Sequence, residues 1–588
     1  MSANDDIARQ LDDLAQMMEL LGENRFRIAA LARASRVIAD LGVDLATIAD
    51  DRDQLLALDG VGEKVADKIQ EFVSTGRIQE RDDCTRKIPP GLLNILQIPG
   101  LGPKTVGLMW REKNIESVDD LKKAIADGSI LDLPRMGKKT VANIVASIAF
   151  LEQSGDRTPI GLVLPLAESI VDRLRAVPGA DRVEYAGSLR RGRDTIGDID
   201  ILACGADKAA LADSFRTTPG VTEILAAGKT KSSVRMDLGI EGADRLIQVD
   251  LRVVDASSFG AALLYFTGSK DHNVRLRERA IARELTLNEY GLFPDHAAKT
   301  DAPADAVASK TETDIYEALG LPFLPAEIRE DRGEFAFTKE APPELIELAD
   351  IQSELHAHTT ASDGKLSIEE LANEAIRRGF HTIAVTDHSA SQRIANGLSA
   401  DRLRQHIKDI RTADEKTHGI KILAGSEVDI LADGSLDYDD DLLAQLDLVV
   451  ASPHWALTQT PAQATRRLLR AIEHPLVNII GHPTGRLIGK RAGMSPNIAQ
   501  LAAAAAEHDT AMEINAHWMR LDLRDAHVRV CVEQGALIAI DCDVHTSEHF
   551  DNLRFGVLTA RRGWLAADRC VNAWSAEKLW EWIEKNKA

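Results

Sequence analysis

The sequence predicts a multidomain chain with helical domains at the N-terminus, a mixed α+β region in the middle and a (β/α)7-like barrel at the C-terminus. Its 588 residues are enough for several packed domains. The first 150 residues have the periodicity of helices joined by glycine-containing turns, and from about residue 183 the periodicity changes to short strands. After residue 345, seven apolar runs end in polar residues and alternate with amphipathic helices, the pattern of a parallel barrel.

The composition excludes several classes of protein. Hydrophobic residues make up 44% and charged residues 28% of the chain, so it is neither largely disordered nor fibrous. The five cysteines form no CxxC pair and are odd in number, which favours a reducing compartment. No apolar run reaches 18 residues and the N-terminus is acidic, so we expect a cytoplasmic protein without a membrane partner. The net charge of −22 argues against polyanion binding unless basic groups are concentrated locally.

A tight turn followed by lysine recurs three times among the N-terminal helices, at residues 58–64, 98–104 and 133–139. Two glycines around one apolar residue bring backbone N–H groups up to a phosphate, and the lysine adds positive charge. The pattern resembles the helix-hairpin-helix motif, which implies sequence-independent DNA binding. The implied DNA-binding residues are Gly60, Gly62, Lys64, Gly100, Gly102, Lys104, Gly137 and Lys139. An ordinary turn between helices is the alternative, and the third copy departs from the motif because Arg135 replaces its first glycine.

Three aspartates of the middle region are predicted to converge. Asp198 and Asp200 occupy alternate positions of an apolar run, so their side chains project from the same face of a strand. Asp250 lies inside the apolar run 246–254, where an acid is costly unless it meets a cation. Three carboxylates can hold two divalent ions and leave coordination positions for phosphate oxygens. A solvated strand edge is the alternative for an isolated Asp-x-Asp pair.

A glycine-serine turn stands close to these acids. Gly187 and Ser188 precede Asp198 by about ten residues, and Arg191 follows them. We expect this turn and this arginine to contact a triphosphate. The combination of the turn with a third acid on a second strand favours an active site over a solvated strand edge.

Fourteen of the 16 histidines follow residue 345, and many stand where the apolar runs end. The predicted metal ligands are His356, His358, Asp363, His388, Glu427, His454, His482, Asp543 and His545. Nine nitrogen and oxygen donors suit zinc or manganese and are enough for up to three ions with positions open to water. Such a centre activates water and binds a phosphodiester. We assign to the core or surface the histidines that fall in helices or off the pattern, namely His381, His406, His418, His474, His508, His517, His527 and His549.

The middle region is similar to the palm of family X DNA polymerases. The segment 265–269, Tyr-Phe-Thr-Gly-Ser, matches the family's signature for favouring deoxyribose over ribose. The resemblance implies two-metal nucleotidyl transfer at Asp198, Asp200 and Asp250, with Mg²⁺ or Mn²⁺. The implied nucleotide-binding residues are Gly187, Ser188, Arg191, Tyr265, Phe266 and Gly268, with Asn273 and Arg277 in the minor groove.

The resemblance extends to a lysine near the N-terminus. The family's lysine that matches Lys68 attacks an abasic sugar as a Schiff-base nucleophile, which requires a deprotonated amine. The neighbouring charge of Lys64, one helical turn away, is suited to promote that deprotonation. Alternatively, both lysines only bind a 5′-phosphate.

The histidine-rich half looks like the PHP (polymerase and histidinol phosphatase) domain, with all nine ligand positions filled. A PHP domain behind a family X polymerase is the bacterial arrangement, so the whole chain resembles bacterial family X polymerases. The implied domains are a lyase-like helical domain over 1–80, a fingers-like helical domain over 81–155, the palm over 156–260, a thumb-like nucleotide-selection domain over 261–320, a linker over 321–345 and the PHP domain over 346–588.

The resemblance implies a bifunctional DNA repair enzyme, a gap-filling polymerase with a 3′-to-5′ exonuclease or phosphoesterase in the PHP domain. Its partners would be gapped or nicked DNA and deoxynucleoside triphosphates, its barrel metals Zn²⁺ or Mn²⁺, and its state a monomer. Two alternatives belong to other classes. One is a non-catalytic DNA-end binding scaffold with a structural barrel, and the other is a phosphatase with an inactive polymerase region.

Overall fold

The computed structural model describes most of the chain. The described residues are 3–39, 45–58, 60–89, 91–96, 98, 101–134, 136–138, 140–141, 144–145, 148, 157–239, 245–294, 306–338, 341–489, 491 and 493–585. They form two compact units, one of residues 1–156 with 244–246, and one of residues 157–243 with 247–588. None of the described helices is both long enough and apolar enough to cross a membrane.

The first unit is helical, as the sequence predicts. Its helices are Ala3–Leu20, Arg25–Ala39, Leu45–Ile48, Arg52–Ala57, Glu63–Thr75, Gln79–Thr85, Gly91–Leu96, Pro103–Lys113 and Val118–Ala126. Their apolar faces share one core that includes Ile7 and Leu11 near the start of the unit and Ile144 and Ile148 near residue 150. The predicted division at residue 80 therefore falls within a continuous core.

The second unit begins with a five-stranded sheet that forms the palm. Its strands are β2 (Ala180–Tyr185), β4 (Asp198–Gly205), β5 (Val221–Ala227), β6 (Lys231–Asp237) and β7 (Leu246–Val253), and β1 (Thr158–Pro159) pairs separately with β3 (Thr195–Ile196). The helices are Ile160–Arg175, Gly187–Arg190 and Lys208–Arg216. The sheet order is β2-β4-β7-β6-β5, with β4 and β7 parallel. Alternate residues of β7, such as Val249 and Leu251, are buried, so its polar residues line the other face.

The thumb region follows the palm. It contains the helices Phe259–Thr267, Lys270–Ile281 and Glu312–Ala318, and the hairpin of β8 (Leu285–Asn288) and β9 (Gly291–Pro294). The segment predicted as a linker packs onto this region, because Leu321, Leu324, Ile328 and Leu345 are buried in its core. Arg329 is fully buried, where its Nε donates to the carbonyl of Leu324 at 2.9 Å.

The remaining residues confirm the predicted parallel barrel. Seven parallel strands pair in chain order: β10 (Ser353–Glu354), β11 (Thr382–Val385), β12 (Lys421–Asp429), β13 (Leu448–Ser452), β14 (Ile479–Ile480), β15 (Ala511–Asn515) and β16 (Leu537–Asp541). The helices are Ile368–Arg377, Ala400–Lys416, Asp440–Leu443, Pro461–Ile472, Ile498–His508, Asp525–Gln534, Leu553–Arg562 and Ala576–Lys585. A parallel bridge between Ala357 and Val544 joins the first and last strands just beyond their ends, so the barrel is nearly closed. Closure brings the C-terminal ends of all seven strands to one rim.

Candidate active sites

The predicted palm carboxylates lie on two adjacent strands. Asp200 on β4 is the register partner of Asp250 on β7. Asp198 lies two residues before Asp200, and the intervening Ile199 is fully buried, so both acids are on the face away from the core. Gln248 Nε2 donates to Asp250 Oδ1 at 3.0 Å and orients that carboxylate.

These carboxylates are short of positive charge. Burial, together with the charges of Asp198 and Asp250, raises the pKa of Asp200 to about 7. Burial and Asp250 also raise the pKa of Asp198 above its ordinary value. An all-oxygen set that ionises reluctantly by itself is suited to hard divalent cations, which would favour the ionised forms.

The glycine-serine turn approaches the acids closely. Gly187 has a φ of +62°, and a Cβ added to it would lie 2.6 Å from Asp200 Oδ2. The backbone N–H of Ala186 donates to the carbonyl of Asp200 at 2.8 Å, which fixes the turn to β4. Only glycine fits both the left-handed backbone and the close approach. Ser188, next in the turn, is therefore carried on a segment bound to β4, the strand of Asp198 and Asp200.

Arg191 is mostly buried, with its side chain 11% exposed. Its Nε donates to Glu330 at 2.9 Å, and its Nη1 donates to the carbonyl of Thr267 at 2.7 Å. Arg191, which is predicted to bind a triphosphate, thus contacts the thumb region in this structure. A contact between Arg191 and a triphosphate stays a prediction.

The residues predicted to select the nucleotide lie at the junction of two thumb helices. Tyr265 and Phe266 end the first helix, and their rings meet edge to face with centroids 5.1 Å apart. Asn273 Nδ2 donates to the carbonyl of Tyr265 at 2.6 Å. Gly268 lies close to the same side chain, since a Cβ added to Gly268 would lie 2.6 Å from Asn273 Oδ1. Arg277 is exposed one turn further along the second helix. The segment is therefore compact, with an exposed arginine beside it.

The helix-hairpin-helix turns precede helices, as predicted. Gly60 has a φ of +78°, and Gly62 and Gly102 are the residues before the helices Glu63–Thr75 and Pro103–Lys113. In the third copy, the N–H of Val141 donates to the carbonyl of Gly137 at 3.0 Å, a helical bond. Lys64 is exposed. Gly100 and Lys139 lie outside the described residues, and the side chain of Lys104 is not described.

Lys68, the candidate lyase nucleophile, is 12% exposed and forms an ion pair with Glu80 at 2.5 Å. Glu80 also pairs with Arg27. A Schiff-base nucleophile requires a free amine, so lyase chemistry would require this pair to open. The lyase role of Lys68 stays a prediction.

The barrel brings the predicted ligands together at one rim. Eight of the nine form three overlapping groups whose ligand atoms lie within 4.8 Å of one another. The groups are His358, Asp363, His388 and His545; His356, His358 and Asp543; and His388, Glu427 and His454. The ninth ligand, His482, adjoins them because its Nε2 lies 2.9 Å from Glu427 Oε1. The overlap of the groups matches a centre for several ions.

Orphaned buried atoms test whether a metal fits here. Among the described residues, buried atoms without a hydrogen-bond partner include His356 Nε2, both ring nitrogens of His358, His388 Nδ1, Glu427 Oε2 and His482 Nδ1. Leaving so many buried polar atoms unsatisfied is costly, and a metal ion would satisfy them. His358 Nε2 lies 3.1 Å from Asp543 Oδ1 without hydrogen-bond geometry, as expected of two atoms aimed at a shared ion. The residues therefore fit a metal cluster.

The imidazoles of the predicted ligands fall into two electrostatic classes. Neighbouring carboxylates raise the pKa of His356, His388, His454 and His545, so a metal would have to displace a proton there. Burial and the neighbouring His545 and His388 lower the pKa of His358 to about 4. Burial and Arg520 lower the pKa of His482 to about 3. Both rings are neutral at pH 7 and offer the lone pairs that a metal requires.

Two acids that support the ligands were missing from the predicted set. Glu513 lies 2.6 Å from His356 Nδ1 and accepts from the backbone N–H of His482. Asp429 binds His454 Nδ1 and accepts from Trp455 Nε1 at 3.2 Å. Asp429 ends β12, and Glu513 lies two residues before the end of β15, as the predicted ligand Glu427 does in β12, so the same pattern contained the signal. Such acids orient ligating imidazoles and raise their basicity.

His406 and His517 illustrate the two outcomes for histidines assigned to the core or surface. His406 Nε2 binds the buried Asp387, the residue before the predicted ligand His388, at 2.8 Å. His517 is close to the site, because its ring centroid lies 5.1 Å from that of His549, which in turn accepts from the N–H of His545 at 3.2 Å. Arg520 also reaches the rim, with Nε 3.7 Å from Asp543 Oδ2.

Comparisons with known proteins find relatives both of the whole chain and of its separate regions. Family models match the chain as a helix-hairpin-helix domain over 2–78, a SAM-like helix-hairpin-helix tandem over 92–149, a DNA polymerase beta thumb over 262–330 and a PHP domain over 354–517. The chain is 36% identical over 581 residues to the DNA polymerase/3′-5′ exonuclease PolX of Bacillus subtilis (strain 168), covering 99% of both chains. It is 26% identical over 339 residues to rat DNA polymerase lambda, covering 55% of each. It is 28% identical over 244 residues to a probable phosphatase of Thermoanaerobacter sp. (strain X514), covering 40% of this chain and 94% of that protein.

Replacing Glu513 with glutamine should weaken metal binding by the barrel about 10- to 100-fold, because a neutral amide supports His356 less well than a carboxylate does. The full chain is dialysed against increasing concentrations of a chelator, and the metal that it retains is measured by elemental mass spectrometry. Asp433→Asn is the matched control, since Asp433 is an exposed barrel acid paired with Arg470 at 3.6 Å. Equal retention by the two variants would contradict the supporting role of Glu513.

Proposed function

This chain belongs to the PolX family of bacterial family X DNA polymerases with a PHP domain, and from that premise we propose that it fills gaps in DNA by template-directed synthesis and removes 3′ nucleotides by 3′-to-5′ exonuclease action. The resemblance found in its motifs is confirmed at the level of the family. The observation that carries the proposal is the presence of two metal-ligand sets of different chemistry in separate parts of the fold.

The donor chemistry supports different ions at the two sites. The all-oxygen set of the palm suits Mg²⁺ or Mn²⁺. The histidine-rich set of the barrel suits Zn²⁺ or Mn²⁺, with up to three ions. A non-catalytic DNA-end binding scaffold would need neither set, which weighs against that alternative.

In the palm, bound ions would lower the pKa of the primer 3′-hydroxyl and neutralise charge on the leaving pyrophosphate. Asp198, Asp200 and Asp250 hold these ions, and the Gly187-Ser188 turn orients the triphosphate together with Arg191. Tyr265, Phe266 and Gly268 crowd the 2′ position of the incoming sugar, which favours deoxyribose. Asn273 and Arg277 read the minor groove beside the new base pair.

In the barrel, bound ions would supply an activated water and neutralise a phosphodiester at a 3′ end. The nine ligands hold these ions, while Glu513 and Asp429 orient His356 and His454. Arg520 is 23% exposed beside Asp543, so its guanidinium is placed to pair with a substrate phosphate. The partners would be gapped or nicked DNA and deoxynucleoside triphosphates, bound by a cytoplasmic monomer.

The similarity to a probable phosphatase favours a second candidate activity for the barrel, the hydrolysis of small phosphate monoesters. Salt dependence distinguishes the two substrates. If the protein contacts six phosphates, its affinity for DNA should fall by about 10³-fold or more between 50 and 200 mM salt. Hydrolysis of DNA at subsaturating concentrations should fall with it. Turnover of a small monoester should respond little. A flat profile on DNA with rapid monoester turnover would favour the phosphatase.

Separate substitutions should remove the two activities separately. Asp198→Ala should abolish primer extension on a 5′-labelled gapped duplex and spare 3′-end hydrolysis, because it removes a palm ligand only. His356→Ala should do the reverse. Both activities are read from the same labelled strand, with and without nucleotides. Loss of both activities in either variant, with the protein still folded, would defeat the two-site model.

Gly187→Ala should lower kcat/KM for primer extension at least about tenfold, since its Cβ would lie 2.6 Å from Asp200 Oδ2 and displace that carboxylate. Exonuclease activity should be unchanged. Gly179→Ala is the control: Gly179 has a φ of +82°, so the variant has the same left-handed backbone cost of about 1–2 kcal/mol, but its Cβ would meet only Ala206 at 3.5 Å. If both variants lost primer extension equally, backbone strain rather than displacement of the Asp200 carboxylate would explain the effect.

A further inference from the structure

The palm turn that carries Ser188 and Arg191 is contacted by a helix of the PHP domain. This helix, Leu553–Arg562, is called the bridging helix below. It packs on the barrel at Gly556, where a Cβ would lie 2.7 Å from Ile540 Cγ2. Two residues further along, Leu558 meets the palm, since a Cβ added to Gly192 would lie 3.1 Å from the Cβ of Leu558. The barrel therefore supports the backbone of the palm turn directly.

Arg562, the last residue of the bridging helix, makes the polar part of this contact. Its side chain is 2% exposed. Nη1 donates to the backbone carbonyl of Arg191 at 2.7 Å and to Glu330 Oε1 at 3.0 Å. Nη2 pairs with Asp525 of the barrel at 2.7 Å. One guanidinium thus joins the barrel, the palm turn and the segment that packs on the thumb.

Glu330 is shared between arginines of two domains. Its Oε1 accepts from Arg191 Nε at 2.9 Å and from Arg562 Nη1 at 3.0 Å. Arg191 Nη1 donates in turn to the carbonyl of Thr267, inside the nucleotide-selection segment 265–269. Consequently Arg562 binds the main-chain carbonyl of Arg191 directly. The side chain of Arg191 binds Glu330, which also binds Arg562.

We propose that Arg562 of the PHP domain is a positioning residue for the polymerase, which sets the turn that binds the incoming nucleoside triphosphate. This inference rests on the proposed polymerase function. It makes tight nucleotide binding in the palm dependent on the barrel, although the barrel's own ligands lie elsewhere. Arg562 needs no contact with the nucleotide, because it acts through the carbonyl of Arg191 and through Glu330.

The test uses the full chain and compares Arg562→Gln with Arg562→Lys and Leu558→Ala. Each buried acid keeps another arginine after Arg562 is replaced, since Asp525 pairs with Arg332 at 3.0 Å and Glu330 with Arg191. Leu558→Ala removes the apolar support of the turn without exposing a buried charge. We expect Arg562→Gln and Leu558→Ala to raise the KM for the nucleotide in gap filling at least about fivefold, with kcat changed less than KM. Arg562→Lys should recover part of the loss.

Exonuclease activity on the same preparations separates positioning from general damage, and it should be unchanged. Arg554→Gln is the matched control, because Arg554 on the same helix pairs with the palm at Glu168, at 3.1 Å, away from the turn; its KM should equal that of the original chain. An unchanged KM in both Arg562→Gln and Leu558→Ala would overturn the inference. So would parallel losses of both activities with a lowered Tm in those variants. No gap filling by the unsubstituted chain would instead refute the proposed function.

Discussion

Parallel pairing of neighbouring strands is the constraint on which both active sites depend. Parallel strands end at the same edge, so residues that follow each strand meet in space even when dozens of positions separate them in the chain. In the palm, the register of β4 with β7 places Asp200 beside Asp250. In the barrel, seven parallel strands bring ligands from residues 356 to 545 to a common rim. Parallel pairing acts differently at the two sites, because the palm acids meet through the register of two strands at the start of β4 and the middle of β7, whereas the barrel ligands meet at a shared C-terminal rim.

The convergence has an electrostatic cost that the protein offsets only in part, through histidine–carboxylate pairs such as His356 with Glu513 in the barrel. The pKa values of Asp198 and Asp200 are raised, so these two acids ionise reluctantly without a cation. In the barrel, several buried imidazole nitrogens among the described residues have no hydrogen-bond partner. Folding places these groups together because the surrounding apolar strands and helices stabilise the framework, and bound cations would recover part of the cost.

The two centres share a framework rather than standing apart. Within the second unit, the bridging helix contacts the palm turn through Leu558 and Arg562 and packs on the barrel through Gly556. Trp518 lies in the barrel loop that also carries His517 and Arg520, and it packs against Gly161 of the palm, where a Cβ would lie 2.3 Å from its ring. Elements of each domain therefore contact a loop near the candidate site of the other.

The sequence by itself determined the chemistry of the sites and the class of each region. Asp198, Asp200, Asp250 and the barrel ligands such as His356 were predictable because the local period of a strand decides which residues share a face or end a run. Tertiary structure decided everything that depends on partners distant in the chain. Glu513 and Asp429 follow the same strand-end pattern as the ligands, and only their contacts identify them as supports of His356 and His454.

The segment 321–345 gives the same lesson for packing. Its prolines and weak periodicity are typical of a linker, yet Arg329 is buried because it meets Glu312, an acid 17 residues earlier. Arg191 was predicted from its motif to face a triphosphate, and the structure pairs it with Glu330, 139 positions away. Burial of a charge is tolerated only beside its partner, and which partner it meets is decided by chain topology rather than by local sequence.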